Sequence, residues 1–290
     1  MLYTLANSSW SGPFSPEEQK NAITALESGK VIYFPRLAFQ LTDTENELLT
    51  PDLLEKGSKN VSFNPKNNKI KGAYEQQKAC LAMLMQRFFK ESLNLIESLA
   101  PSYQEFLLTG RTSYRPVEAA GRQTSLLKDD TRLHVDAFPA TPNYGKRILR
   151  VFTNINPIGE PRVWHLGEPF EMVVEQFLPR LRSPWFGLHA ILSLFKITKS
   201  YRSLYDHYML MLHDEMKKSD AYQNKVNKTV MEFPAGSTWV VMTDAVSHAA
   251  LSGQFLLEQT FYLPVHSMTK PELSPLKILE RFLRRKLVDS

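Results

Sequence analysis

His134 and Asp136 stand two residues apart in the run Thr131-Arg132-Leu133-His134-Val135-Asp136-Ala137-Phe138-Pro139, and His248 follows far downstream in Thr243-Asp244-Ala245-Val246-Ser247-His248-Ala249-Ala250. Two imidazoles and one carboxylate can fill three corners of an octahedron and leave three open, the donor set with which non-heme Fe(II) oxygenases admit a cosubstrate and dioxygen. On a strand, residues i and i+2 share a face, with Cα atoms roughly 6 to 7 Å apart, so His134 and Asp136 reach one ion while Val135 points the other way. The tripeptide alone is a short pattern that also arises as a surface ion pair, so its weight depends on its surroundings. A structural zinc site would favour four ligands with cysteine prominent, and the chain has a single cysteine, Cys80.

One turn later the run Arg147-Ile148-Leu149-Arg150-Val151-Phe152-Thr153-Asn154-Ile155-Asn156-Pro157 alternates so that Arg150, Phe152 and Asn154 share a face. If that face lines the metal pocket, the Arg150 guanidinium offers the bidentate grip on a carboxylate that an oxygenase using 2-oxoglutarate needs. The alternative is an arginine at a barrel rim paired with an acid such as Glu258.

The elements that must position these groups are readable in outline. Ser15-Pro16-Glu17-Glu18 opens a helix that Gly29 ends. Val31 to Phe34 reads as a strand, Thr42 starts a short helix, and a longer helix runs from about Tyr74 to Leu99 and stops at Pro101. After Gly110 come short strands at Thr112 to Val117, Gln123 to Leu127, Thr131 to Asp136 and Arg147 to Ile155, with more at Val230 to Phe233, Ser237 to Met242 and Phe255 to Leu263. The expected layout is one α+β domain: residues 1–109 mainly helical support, 110–170 and 229–266 the β core, 171–228 a helical insert, and 272–288 a C-terminal helix.

The composition, 43% hydrophobic and 22% charged, suits a soluble globular protein. The lone cysteine and the absence of a signal peptide or a long apolar run suggest a cytoplasmic protein. A net charge of +5 does not argue for nucleic acid as a partner. Its distribution says more. Residues 176–205 contain no acid, and Arg180, Arg182, Lys196, Lys199 and Arg202 alternate with Trp185, Phe186 and other apolar residues, a pattern suited to an anionic surface. A second acid-free basic stretch, Lys56 to Lys71, reads as a mobile loop. His207 and His213, on a helical stretch, face different directions and read as packing or hydrogen-bonding residues.

The runs Thr131 to Pro139 and Arg147 to Pro157, together with Arg162-Val163-Trp164, Gly167-Glu168-Pro169-Phe170, Tyr205-Asp206-His207-Tyr208-Met209-Leu210 and Ser247-His248-Ala249-Ala250, resemble the Kdo hydroxylase family from about Gly110 to the C-terminus. The resemblance implies a double-stranded β-helix (jelly-roll) core and an Fe(II)- and 2-oxoglutarate-dependent dioxygenase that uses O2 to hydroxylate C3 of 3-deoxy-D-manno-octulosonic acid (Kdo) in Kdo-lipid A, releasing succinate and CO2. It makes His134, Asp136 and His248 the iron ligands. Rival readings are an oxygenase of the same chemistry with another substrate, or a barrel that binds lipopolysaccharide precursors without turnover.

Many members of the wider dioxygenase superfamily carry an arginine about ten residues after the distal histidine to hold the cosubstrate's far carboxylate. Here that window, Gln254 to Thr260, has none. The expected anchor is therefore Arg150, with Asn154 on its face and Thr260 adding a hydrogen bond, and with Arg147, Arg132 and Arg162 as alternatives. A substrate bearing carboxylate and phosphate groups calls for basic residues at the entrance, for which Arg115, Arg122, Lys128, Arg132 and Arg162 are candidates. A lipid-borne sugar further implies weak, peripheral contact with the cytoplasmic face of the inner membrane.

Overall fold

The computed structural model describes residues 1–184 and 202–288. Two sheets face each other. The larger has eight strands in the order β1-β2-β9-β6-β11-β5-β3-β4 and the smaller has three, β10-β7-β8. The strands are β1 (Leu2–Thr4), β2 (Val31–Phe34), β3 (Val61–Asn64), β4 (Lys69–Lys71), β5 (Leu108–Arg115), β6 (Arg147–Asn154), β7 (Arg162–Pro169), β8 (Thr229–Phe233), β9 (Thr238–Met242), β10 (Val246–Ser252) and β11 (Leu256–Leu263). All pairings are antiparallel except β1 with β2.

Strand β6 shows how the layers form. Every one of its eight residues is buried, so both faces of the large sheet are covered there. Leu149 and Val151 turn toward a core with α1 (Pro16–Glu27) and α3 (Glu75–Leu99), joined by Val240, Met242, Leu257 and Phe261 from the neighbouring strands. Helix α3 meets that core with Leu81, Leu84, Met85, Phe88, Leu95, Ile96 and Leu99, at the spacing of one helical face. Phe152 faces the other way and packs with Trp164, Leu166, Trp239, Val246 and Leu256 between the sheets. Truncating Phe88 or Phe152 to Ala would open a cavity costing about 3–5 kcal/mol.

The outer side of the small sheet is closed by α4 (Phe170–Phe177), α5 (Leu204–Lys218), α6 (Asp220–Lys225) and α7 (Pro275–Leu283). Short α2 (Asp43–Asn46) begins at the expected helix start, where Thr42 and Glu45 form a capping box.

Several expectations change. The N-terminal third does supply helices, but it also gives β1 to β4 to the large sheet. The basic stretch 56–71 is not a loop throughout: it contains the β3–β4 hairpin. Residues 123–127 form no strand; a single 3-10 turn spans Leu126–Lys128. The C-terminal helix ends at Leu283 because Arg284 adopts a left-handed conformation, φ 53°. Three basic residues of this terminal segment are engaged within the fold: Arg281 with Glu171, Arg285 with Tyr208, and Lys277 with Glu280. Trp185, Phe186, Lys196 and Lys199 lie outside the described residues.

Candidate metal centre

The segment that carries His134 and Asp136 is held by specific backbone bonds rather than by a regular strand. His134 N–H donates to the His248 carbonyl at 3.0 Å and His248 N–H returns to the His134 carbonyl at 2.9 Å, the doubly bonded pair of an antiparallel ladder. Asp136 N–H donates to Thr243 O at 2.9 Å, and Ala250 N–H to Asp130 O at 2.7 Å. Leu133 and Val135 enter the apolar cluster shared with α4 and α5, so the intervening His134 and Asp136 turn to the opposite side. The two imidazole centroids lie 4.7 Å apart. One donor atom from each of His134, Asp136 and His248 falls within 4.8 Å of the other two, and all three residues are buried.

Protonation follows from the neighbours. His134 Nδ1 meets the Arg132 carbonyl at 2.8 Å and His248 Nδ1 meets the Val246 carbonyl at 2.7 Å. A carbonyl partner requires the proton on Nδ1, which leaves each Nε2 lone pair for a metal. Burial lowers the pKa of both histidines; His248 and then Lys217 lower that of His134 further. Burial alone would raise the Asp136 pKa, but Arg150, His248 and His134 outweigh it and hold the carboxylate ionised. Asp136 Oδ2 is buried and accepts no hydrogen bond, while Oδ1 lies 3.9 Å from His134 Nε2. Two neutral imidazoles beside an under-satisfied carboxylate fit a divalent cation. Trp164 stacks on His248 with centroids 5.1 Å apart, and His213, itself bonded to Asp214, packs edge-on against His134 at 5.4 Å.

Arginines surround this centre, but their charges are not equally available. Arg150 Nη1 lies 3.1 Å from Asp136 Oδ2 and 3.4 Å from Glu258 Oε1. Arg115 grips the other Glu258 oxygen at 3.0 and 2.8 Å. Glu258 thus occupies the window in which the superfamily's arginine is absent, and it pairs there with both Arg115 and Arg150. Arg162, from β7, is different: its Nη1 donates to Gly253 O at 2.6 Å, its Nε is buried without a partner, and among the described residues no carboxylate pairs with it. Burial, then the like charges of Arg115 and Arg122, lower its pKa to about 9, which still leaves it charged at neutral pH. The indole N–H of Trp164 is also buried and unpartnered. Both side chains line a cavity of about 60 Å³ that contains the three candidate ligands. Unsatisfied buried donors cost about 1–3 kcal/mol each, so the cavity favours an anionic oxygen ligand beside the metal position.

A family model described as 3-deoxy-D-manno-oct-2-ulosonic acid (Kdo) hydroxylase matches residues 9–286. The chain belongs to the Kdo hydroxylase family. Solved structures of the Kdo hydroxylase KdoO, described as a non-heme Fe(II) alpha-ketoglutarate dependent dioxygenase, superpose on it over 100% of this chain and 98% of theirs. The complex with alpha-ketoglutarate and Fe(III) gives a TM-score of 0.96 at 47% identity, and the cobalt(II) complex 0.97 at 48%. The complex with succinate and Fe(III) gives 0.96 at 47%. No curated protein sequence matches the chain.

In this member of the Kdo hydroxylase family, the residues expected at the site divide into three groups. His134, Asp136, His248, Arg115, Arg150 and Arg162 come together around the small cavity. Thr260 and Arg122 line adjoining cavities instead, and Arg122 donates to the Glu118 and Val117 carbonyls.

The third group leaves the site. The Asn154 amide donates to the Glu160 and Phe233 carbonyls, both at 2.9 Å, and its oxygen accepts from Asn156, so its hydrogen-bonding capacity holds the end of β6. Arg132 turns outward to Lys217 O and Asp220. Arg147 is fully buried against Asp244 at 2.7 Å, on the side away from the metal position.

Sequence reasoning missed Trp164 as a site residue, the pairing of buried Lys217 with half-exposed Asp130 at 3.6 Å, and Gly253. Lys217 carries no local signal of its role, since helix α5 is what brings it beneath the loop that lines the cavity. Gly253 has φ +108°, and a Cβ there would meet Arg162 Cα at 2.8 Å, so only glycine lets this loop close on Arg162.

Proposed function

We infer that this chain is an Fe(II)- and 2-oxoglutarate-dependent dioxygenase that hydroxylates C3 of Kdo in Kdo-lipid A, yielding the 3-hydroxy sugar, succinate and CO2. The observation that carries the reading is the convergence of His134, Asp136 and His248 in a full-length member of this family. The metal and alpha-ketoglutarate complexes of KdoO support the same cofactors here. When bound, iron, 2-oxoglutarate and O2 supply the oxidising chemistry. His134 and His248 would hold the iron through Nε2 and Asp136 through a carboxylate oxygen, with Arg150 balancing the other. Arg162, with the Trp164 N–H beside it, takes the place first expected of Arg150 as the grip on the far carboxylate of 2-oxoglutarate, because of the three arginines lining the metal cavity it is the one with no paired acid among the described residues. Phe152, Trp164 and Leu256 keep water from the reacting centre.

In this reading the facing sheets are a double-stranded β-helix (jelly roll) and the chain is a single dioxygenase domain. The substrate's lipid draws the enzyme to the cytoplasmic leaflet of the inner membrane. The contact proposed is peripheral; no helix among the described residues is long and apolar enough to cross a membrane. Co-sedimentation should rise with the anionic lipid content of liposomes; binding that ignores lipid charge would refute that part. The activity itself is tested by succinate release: Kdo-lipid A should stimulate it, and peptides should not. Stimulation by peptides alone would assign the chemistry to another substrate.

A further inference from the structure

The small sheet does not cover the whole of the large one. The apolar layer between them draws on β2, β6, β9 and β11 and takes nothing from β3, β4 or β5. Beyond the metal centre, the same inner face of the large sheet therefore continues past that apolar layer and turns polar, with Phe138 and Thr141 beside it. Register makes the path continuous: Ser62 pairs with Ser113, Ser113 with Glu258, and Glu258 with Phe152 at the wall of the metal cavity. Two strand steps, about 10 Å, separate Glu258 from Ser62.

Along this path lies a cavity of about 450 Å³, with Asn60, Ser62, Asn64, Lys66, Arg111 and Tyr262 among its lining, a size usual for a small-molecule ligand. Arg115, Arg150 and Glu258 form the wall it shares with the metal cavity. Its charge is one-sided. Arg115 and Arg150 are offset by Glu258, whereas Arg111 and Lys66 pair with no carboxylate among the described residues, and Arg111 bonds only to Ser62 Oγ at 3.1 Å. Edge-strand protection accounts for lysines such as Lys69 and Lys71 on β4. It does not account for Arg111, which sits on β5, two strands in from that edge.

We propose that this groove seats a second saccharide unit next to the sugar at the metal centre, with an oxyanion of that unit held by Arg111 and Lys66 and its hydroxyls by the Asn and Ser side chains of β3. The proposal rests on the acidic-sugar reading of the active site and adds that recognition extends one unit beyond the reacting ring. The basic 56–71 segment thereby gains a role as the outer wall of a substrate groove. A guanidinium and an ammonium suit either a carboxylate or a phosphate, and the experiment separates the two.

The test compares wild type with Arg111→Gln, Lys66→Gln and the double variant, all at exposed positions, so melting temperatures should be unchanged. With Kdo-lipid A, the double variant should raise the saccharide KM at least 10-fold, leave kcat within about 3-fold, and alter neither the KM for 2-oxoglutarate nor Co(II) binding. Arg111→Lys should recover part of the loss. If the defect persists with a phosphate-free Kdo disaccharide, the oxyanion is a sugar carboxylate; if it appears only with the phosphorylated lipid, it is a phosphate. An unchanged saccharide KM in the double variant overturns the groove while the activity stands. Wild type that releases no succinate with any Kdo saccharide overturns the activity and the groove with it.

Discussion

His134 and His248 exchange both backbone hydrogen bonds, at 3.0 and 2.9 Å, so the two imidazoles are set side by side by main chain rather than by side-chain packing. Each ring is then oriented by its own segment, through Nδ1 to a carbonyl two residues back. The main chain thus organises the metal position. Replacing either histidine by Ala should leave the bridge and the fold in place. Both variants should lose tight Co(II) binding in calorimetry and at least 1000-fold in turnover, with melting temperatures close to metal-free wild type. A variant that keeps wild-type metal affinity would remove that histidine from the ligand set.

Arg150 and Arg162 should fail in different ways. Arg150 lies between two buried carboxylates, and breaking such a pairing costs about 3–5 kcal/mol, so Arg150→Ala should show chiefly as a lower melting temperature. Arg162 has no paired acid. Arg162→Ala should raise the KM for 2-oxoglutarate by 30-fold or more, in line with the loss of a buried charge pair of about 2–5 kcal/mol, and leave stability nearly intact. The opposite pattern would return the anchor to Arg150.

Gly253 acts through Arg162. Its carbonyl accepts from the guanidinium, and its positive φ admits no side chain without strain. Gly253→Ala should therefore raise the 2-oxoglutarate KM while metal affinity stays unchanged. Equal loss of both in titrations would show a general unfolding of the site.

Glu258 supplies a pH signature. Burial works to raise its pKa, but Arg150 and Arg115 prevail and hold it below the ordinary value of 4.5. A carboxylate depressed on folding stabilises the fold fully above its unfolded pKa and loses that contribution as pH falls through the folded one. Relative to wild type, Glu258→Gln should be destabilised at pH 7, with the gap narrowing below about pH 4.5. Denaturant melts over this range read it directly; a gap that widens in acid would reverse the assignment.

Much of this architecture was legible in the sequence because local physics dictates it. Ser15-Pro16-Glu17-Glu18 folds as a capped helix start, and the alternation in β6 places Leu149 and Val151 on one face and Arg150 and Phe152 on the other. The His134 and Asp136 pair follows from the same period of two. What escaped is set by contacts distant in sequence. Which arginine is left without a counter-charge depends on Glu258 falling diagonally between Arg115 and Arg150, two register positions from the partner of each, and strand register is invisible in composition. Asn154 shares a face with Arg150 by alternation, yet the bend after β6 directs its amide to Glu160 and Phe233. The segment at 131–136 reads as a strand but meets its partner through one bridge and a few backbone bonds.

The central claim, that His134, Asp136 and His248 hold iron with corners left open for 2-oxoglutarate, is tested most directly by anaerobic titration of the metal-free protein with Fe(II) and 2-oxoglutarate. The weak visible charge-transfer band of the chelate should grow to a 1:1 endpoint in wild type. It should be missing from folded His134→Ala, Asp136→Ala and His248→Ala. Folded wild-type protein that develops no band, or a triad variant that develops it fully, would contradict the account.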